Sequence, residues 1–182
     1  AKFSALSSKG GSSAGIAILN FASNNTIGGI DTGEVNVIAY NDPAGVRIFS
    51  GTGNRVRGNT IYNNGVSDFD FGLPVLTPND ADDPDSGPNN LQNFPVLRTA
   101  TRASGLGLLN VAVSIDSVAP NSTYPIAIDF YGQKAGQPPV YLGNWSVSFP
   151  TNLGINLGDV SVFGLTTGDS VFAMATDANG NS

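Results

Sequence analysis

The sequence predicts an all-β protein in two halves, a short parallel β-helix followed by an antiparallel β-sandwich, and three observations carry that prediction. The chain has 23 Gly, 11 Pro and a single Met within a 40% hydrophobic content, a balance that favours many short strands joined by turns. No window of helical length keeps the i, i+3, i+4, i+7 apolar spacing without a Gly or Pro interrupting it, so almost no helix is expected. An internal repeat occupies the first part of the chain, and a slower strand rhythm occupies the second.

In the repeat, GIAIL at 15–19 is echoed by GVRIF at 45–49, NTIG at 25–28 by NRVR at 54–57, and NVIAYN at 36–41 by NTIYN at 59–63. The order is the same each time. The spacing from Gly45 to Gly65 is close to one coil of a β-helix, in which three short strands face three sides of a prism. The first repeat is longer, and its surplus reads as a loop at 29–34 thrown outward from a corner. Val46 and Ile48 alternate around Arg47, so one face of each strand fills the prism and the other meets water. Gly and Asn tolerate the left-handed backbone that corners demand, and stacked Asn side chains can form amide ladders between coils. An antiparallel meander shows the same alternation but gives no reason for the three elements to recur in order.

Near residue 66 the rhythm fails. Pro74, Pro78, Pro84 and Pro88, with a run of aspartates, make the stretch FGLPVLTPNDADDPDSGPNNLQNFPVL unfit for a central strand, and it reads as a cap and linker. Beyond it, strands are expected at about 95–103, 108–118, 123–133, 140–150, 157–164 and 170–177, separated by turn signals such as Ala119-Pro120-Asn121-Ser122 and Thr166-Thr167-Gly168-Asp169. They suggest a β-sandwich with one strand fewer than the usual seven. The expected organisation is therefore β-helix coils over 1–72, an acidic Pro-rich linker over 73–94 and a sandwich over 95–182.

The net charge of −6 sits in one place: Asp68, Asp70, Asp80, Asp82, Asp83 and Asp85 lie in residues 58–97, which hold no Lys or Arg. With a pI near 4.2 and no basic stripe, nucleic acid and anionic lipid are poor partners. No apolar run is long enough for membrane insertion. The absence of Cys excludes disulfides, thiolate zinc sites and a Cys nucleophile, and the absence of His removes the commonest general base. The chain opens without a Met or an apolar leader, as a mature product or an excised fragment does.

Taken together, NNTIGG, EVNVIAYN, GVRIFSGTGNRVRGNTIYNNG, TPNDADDPDSGPNNLQNFPVL and the later IDFYGQ, YLG and ATDANGNS resemble bacterial secreted or surface proteins that carry right-handed parallel β-helix repeats of the pectin-lyase-like superfamily, followed by an immunoglobulin-like module. The resemblance covers essentially the whole chain, and the linker motif is its specific part. It implies the architecture and an extracellular or cell-surface setting; members are mostly large, adhesin-like proteins. It carries over no catalytic residues. Such proteins have more coils before the linker, and their sandwich continues past ATDANGNS into one more apolar segment, so the chain reads as a C-terminal piece or a shortened relative.

Three groups of residues are candidate sites. Asp80, Asp82, Asp83 and Asp85, with Asn79 and Asn89, offer hard oxygens at close spacing in a Pro-rich loop and can wrap Ca²⁺, although the EF-hand register is missing; the alternative is a solvated loop whose aspartates make turns. Asp68 and Asp70 flank Phe69 and point the same way, as an acid and base for glycoside hydrolysis would, with Arg47, Arg55 or Arg57 to bind an acidic sugar. Polysaccharide lyases of the resembled superfamily similarly combine Asp-bound Ca²⁺ with a basic residue. Two coils make only a short groove, however, and alternating charges on a solenoid are normally its solvated face. Tyr40, Tyr62, Tyr131, Tyr141 and Trp145 can stack on sugar rings, but the last three fall in expected strands and read rather as core or edge of the sandwich.

A sandwich without its last strand has an open edge. The stretch KFSALS at 2–7, added to the next molecule's sandwich, would make a head-to-tail fibre, and an open β-helix end offers a second route to stacking. The expected role is non-enzymatic: an extracellular structural or adhesive module, acting as a spacer, a filament subunit or a polysaccharide-contacting surface. A polysaccharide lyase or glycoside hydrolase of the β-helix type, or its inactive remnant, is the alternative.

Overall fold

The two sequence repeats lie side by side, each strand of one paired in parallel with its counterpart in the other. The computed structural model describes residues 14–72, 77–103 and 107–182, and those residues contain no α-helix. β1 (Ile16–Ile18), β2 (Thr26–Gly28) and β3 (Val37–Ala39) belong to the first repeat; β4 (Ala44–Ile48), β5 (Arg55–Arg57) and β6 (Thr60–Tyr62) belong to the second. Ile16 pairs with Val46, Thr26 with Arg55 and Val37 with Thr60, which is the register of the sequence echoes. β7 (Ser67–Asp70) adds a third strand beside β4. These parallel sheets are short, of two or three strands each.

Their core is small and aliphatic: Ile18, Ile27, Ile38, Val46, Ile48 and Val56 are buried together. Asparagines and glycines make the corners. Asn20, Asn24 and Asn63 hold φ of 55°, 60° and 52° in the left-handed region, which Asn tolerates better than most residues. At Gly58, with φ 66°, a Cβ would also run into the Gly29 carbonyl of the neighbouring repeat. Asparagines of successive repeats are laddered. The Oδ1 atoms of Asn54, Asn59 and Asn64 accept both the backbone N–H and the side-chain amide of Asn25, Asn36 and Asn41, with amide distances of 2.8, 2.9 and 3.0 Å.

The second half is antiparallel. β8 (Val96–Arg102), β9 (Leu108–Ile115), β10 (Ile126–Gln133), β11 (Val140–Val147), β12 (Thr151–Asp159) and β13 (Ser170–Thr176) form two three-stranded sheets, ordered β12-β9-β8 and β11-β10-β13. Inward residues of both, among them Val111, Val113, Ile126, Ile128, Phe130 and Ile155, make one core.

One boundary differs from the sequence reading. The strand expected at 140–150 stops at Val147, and the one expected at 157–164 runs instead over β12, followed by a 3-10 turn, Val160–Phe163. Pro150 has no N–H to offer a ladder, so the chain turns there. Leu153, Ile155 and Leu157 then alternate towards the core. Asp159 closes the strand by accepting the Ser161 N–H at 2.8 Å.

Candidate functional site

The linker is built by side chains that replace the backbone pairing an irregular segment lacks. Asn79 and Phe94 exchange two hydrogen bonds, of 2.7 and 2.9 Å. Asn93 donates from its side chain to the carbonyls of Asp80 and Asp116. Asp83 is the hub. It is buried, and its carboxylate accepts the Asn93 N–H at 3.0 Å, the Gln92 amide at 2.8 Å and the hydroxyls of Ser117 and Ser122. Those serines lie between β9 and β10, so one carboxylate ties the linker to the antiparallel half.

The linker ends one ladder of the parallel half and β7 ends another. Asn89 takes the place that follows Asn25 and Asn54: its Oδ1 accepts the Asn54 N–H at 3.0 Å and its amide donates to the Asn54 carbonyl at 2.6 Å. Asp68 does the same after Asn41 and Asn64, accepting the Asn64 side-chain amide at 2.7 Å and its N–H at 3.3 Å. Beside Asn89, the exposed edge of β5 meets acceptors from the antiparallel half. Gly53 N–H donates to Asn181 Oδ1, Val56 N–H to Ser182 Oγ and Gly58 N–H to the Tyr131 hydroxyl, at 2.7, 3.0 and 3.0 Å. Between them the Arg57 guanidinium makes a two-pronged pair with Asp129, at 2.7 and 2.6 Å. Asp129 is 1% exposed, and the bond to it raises the Arg57 pKa above its ordinary value.

Three of the four predicted metal-ligating aspartates converge. Asp80, Asp83 and Asp85 each place a carboxylate oxygen within 4.8 Å of the others. Oxygens around one Ca²⁺ lie about 2.3–2.6 Å from it, so a common cation fits that separation. Asp80 Oδ1 and Asp85 Oδ1 are buried with no hydrogen-bond partner, and burial, with Asp80 and Asp83 nearby, pushes the Asp85 pKa up. Asp82 stands apart from this group. Its amide donates to Asp116 and its carbonyl accepts from Asn121. Extended backbone would have put Asp80 and Asp82 on one side, but Asp82 and Asp83 both hold left-handed φ, 65° and 61°, and the curl brings Asp83 in instead.

The predicted acid–base pair is divided between structural partners. Asp68 ends an asparagine ladder, and Asp70 Oδ2 lies 3.1 Å from Arg47 Nε, whose guanidinium also covers the Phe49 ring. Arg57 is engaged by Asp129. Among the aromatic candidates, Tyr131 is buried at the junction and stacks on Phe172, whereas Tyr40 and Trp145 are 64% and 48% exposed; Tyr40 meets Tyr62 edge to face. The stretch at 2–7 lies outside the described residues. The sequence reading missed Asp129, Ser182 and Gln92, and it gave Tyr131 as core or edge of the sandwich without its hydrogen bond to Gly58 across the junction. Asn89, read from the sequence as a candidate calcium ligand, instead caps the ladder of Asn25 and Asn54.

No protein-family model, curated protein or solved structure matches the chain.

Proposed function

We propose that this chain is a non-enzymatic structural module of an extracellular or bacterial-surface protein, a short right-handed parallel β-helix joined rigidly to an immunoglobulin-like sandwich and serving as a spacer. One observation carries the reading. The edge of β5, which would otherwise present unpaired amides, is closed by Asn89, Ser182, Tyr131 and Asn181, and Arg57 is clamped by buried Asp129. Side-chain acceptors at alternate amides, with a desolvated ion pair between them, fix one angle between the halves and protect the edge from adventitious pairing. Exposed Tyr40, its neighbour Tyr62 and Trp145 supply flat faces for a sugar ring, consistent with an adhesive variant of the role.

Small-angle X-ray scattering, with incubation on a panel of acidic polysaccharides, tests it. A single rigid envelope with no unsaturated products or new reducing ends is expected. Turnover of any polysaccharide would favour the lyase or hydrolase reading.

The unpartnered oxygens of Asp80 and Asp85 favour a second, compatible reading, that Ca²⁺ stiffens the linker. Calcium titration followed by calorimetry should raise the unfolding midpoint of the wild type. Asp85→Asn should abolish the rise, while Asp82→Asn should leave it intact.

A further inference from the structure

The Asp83 hub holds more than its tethering role requires. A carboxylate, a carboxamide and two hydroxyls meet in a space closed to water: Asp83, Gln92, Ser117 and Ser122 are each 6% exposed or less. One hydrogen bond from each partner to Asp83 would fix the linker, yet the partners also touch one another. Gln92 Nε2 donates to Ser117 Oγ at 3.4 Å, Ser122 Oγ donates to Gln92 Oε1 at 3.1 Å, and the two serine oxygens are in contact. Charge fixes which way the amide points. Turned round, its oxygen would face the Asp83 carboxylate, so Nε2, which donates to Oδ2 at 2.8 Å, belongs on that side.

One carboxylate oxygen thereby stands beside both a hydroxyl and an amide nitrogen. Asp83 Oδ2 accepts from Ser117 Oγ and from Gln92 Nε2, so the place to which a proton would go is also the place from which it could be returned. A nucleophile next to its base, with the base oriented by a third group, is the arrangement of covalent catalysis. Here the third group is the Asn93 N–H, which donates to Asp83 Oδ1 at 3.0 Å. Ser117 is held through its carbonyl, which accepts the Tyr124 hydroxyl. With Ser117 donating to Asp83, the Ser122 proton is free to point at Gln92 Oε1, where negative charge collects when an amide carbon is attacked.

We propose that this cluster is a self-modification site at which Ser117 and Gln92 join in an ester cross-link. Ser117 Oγ attacks Cδ of Gln92 and gives its proton to Asp83 Oδ2, while the carbonyl electron pair moves onto Oε1 beside the Ser122 hydroxyl. As the carbonyl re-forms, the bond from Cδ to Nε2 breaks. Asp83 returns the proton to the departing nitrogen, which leaves as ammonia. One C–O bond has replaced one C–N bond, and no water, oxidant or cofactor is consumed. At neutral pH the ammonia is protonated and diluted, which draws the step forward, and the burial that excludes water protects the ester from hydrolysis. The product closes residues 92–117 into a covalent loop, so the linker is bonded to the turn between β9 and β10 that hydrogen bonds alone otherwise hold.

The test is mass spectrometry of the purified 182-residue chain, held folded at neutral pH with a chelator for several weeks and then digested. The intact mass should fall by one ammonia. Trypsin, which cuts after Lys and Arg, places Gln92 in peptide 58–98 and Ser117 in peptide 103–134, so the two peptides should appear joined. Hydroxylamine should part them and leave a hydroxamate at Gln92. Ser117→Ala should abolish the link, Ser122→Ala should slow it, and Asp83→Asn should slow it by about a hundredfold or more. A wild type that keeps its full mass overturns the proposal, whatever the variants do to folding. Loss of ammonia without joined peptides, as a succinimide at Asn64-Gly65 would give, overturns it too, and so does a link that forms as fast in Ser117→Ala as in the wild type.

Discussion

Tyr131 is 3% exposed, and its hydroxyl oxygen accepts the Gly58 N–H from the neighbouring half. Burial, and then the Asp129 charge, push its pKa above its ordinary value near 10. In the unfolded chain the phenol releases its proton around pH 10, while in the folded chain it keeps it. The unfolded state therefore binds fewer protons above that pH, and stability must fall as pH rises. The slope is at most about 1.4 kcal/mol per pH unit for this one group. Tyr131→Phe should flatten that alkaline loss in urea denaturation measured above about pH 10. A residual slope is expected from Tyr141 and Tyr124, which burial also shifts upward. At neutral pH the same substitution leaves the Gly58 N–H without its acceptor, at a cost of about 1–3 kcal/mol. A variant that keeps the full alkaline slope would mean that another group carries it.

The asparagine ladders decide what Asp68 is for at the level of strands and corners. Its Oδ1 is the last acceptor of a series that runs through Asn41 and Asn64, so the oxygen matters and the charge does not. Asp68→Asn should leave stability within about 0.5 kcal/mol of wild type, and Asp68→Ala should cost about 1 kcal/mol, because the site is exposed and water can replace the acceptor. Asn54→Ala should cost more, about 1–3 kcal/mol, because Asn54 is wholly buried and serves Asn25, Asn89 and the Ala22 carbonyl at once. Thermal denaturation of the three variants checks the ranking. The ladders were legible beforehand, because asparagine recurs at several corresponding places in each repeat and the parallel pairing follows that register. The linker was less so. Three members of its Asp-rich run do converge, but that Asp83 also bonds Gln92, Asn93, Ser117 and Ser122, and that Asp82 and Asp83 take left-handed backbone, cannot be deduced from spacing. Arg57 and Asp129 are 72 residues apart, with no local pattern to connect them.

Those two side chains set how the molecule unfolds as a whole. The antiparallel half packs a core from Leu109 to Ala175, while the core of the parallel half has half as many buried hydrophobics among the described residues. A small core rarely holds a domain by itself, so the parallel half depends on the surface it docks against. The Arg57–Asp129 pair is one part of that surface, beside the hydrogen bonds from Gly53, Val56 and Gly58. Removing one partner leaves the other buried or stranded, at about 3–5 kcal/mol, and the loss should fall on one half rather than on both. In native-state hydrogen exchange, Arg57→Ala should therefore raise exchange at β4 and β5 to a rate well above that of global unfolding. The buried amides of β9 and β10 should keep their protection, since their core makes no use of the pair. Arg57→Lys should behave nearly as badly, because a single ammonium cannot reproduce two parallel N–H bonds to Asp129. If β9 and β10 open together with β4 and β5 in these variants, the two halves share one cooperative unit, and the junction transmits stability through its hydrogen-bonded caps rather than through the ion pair.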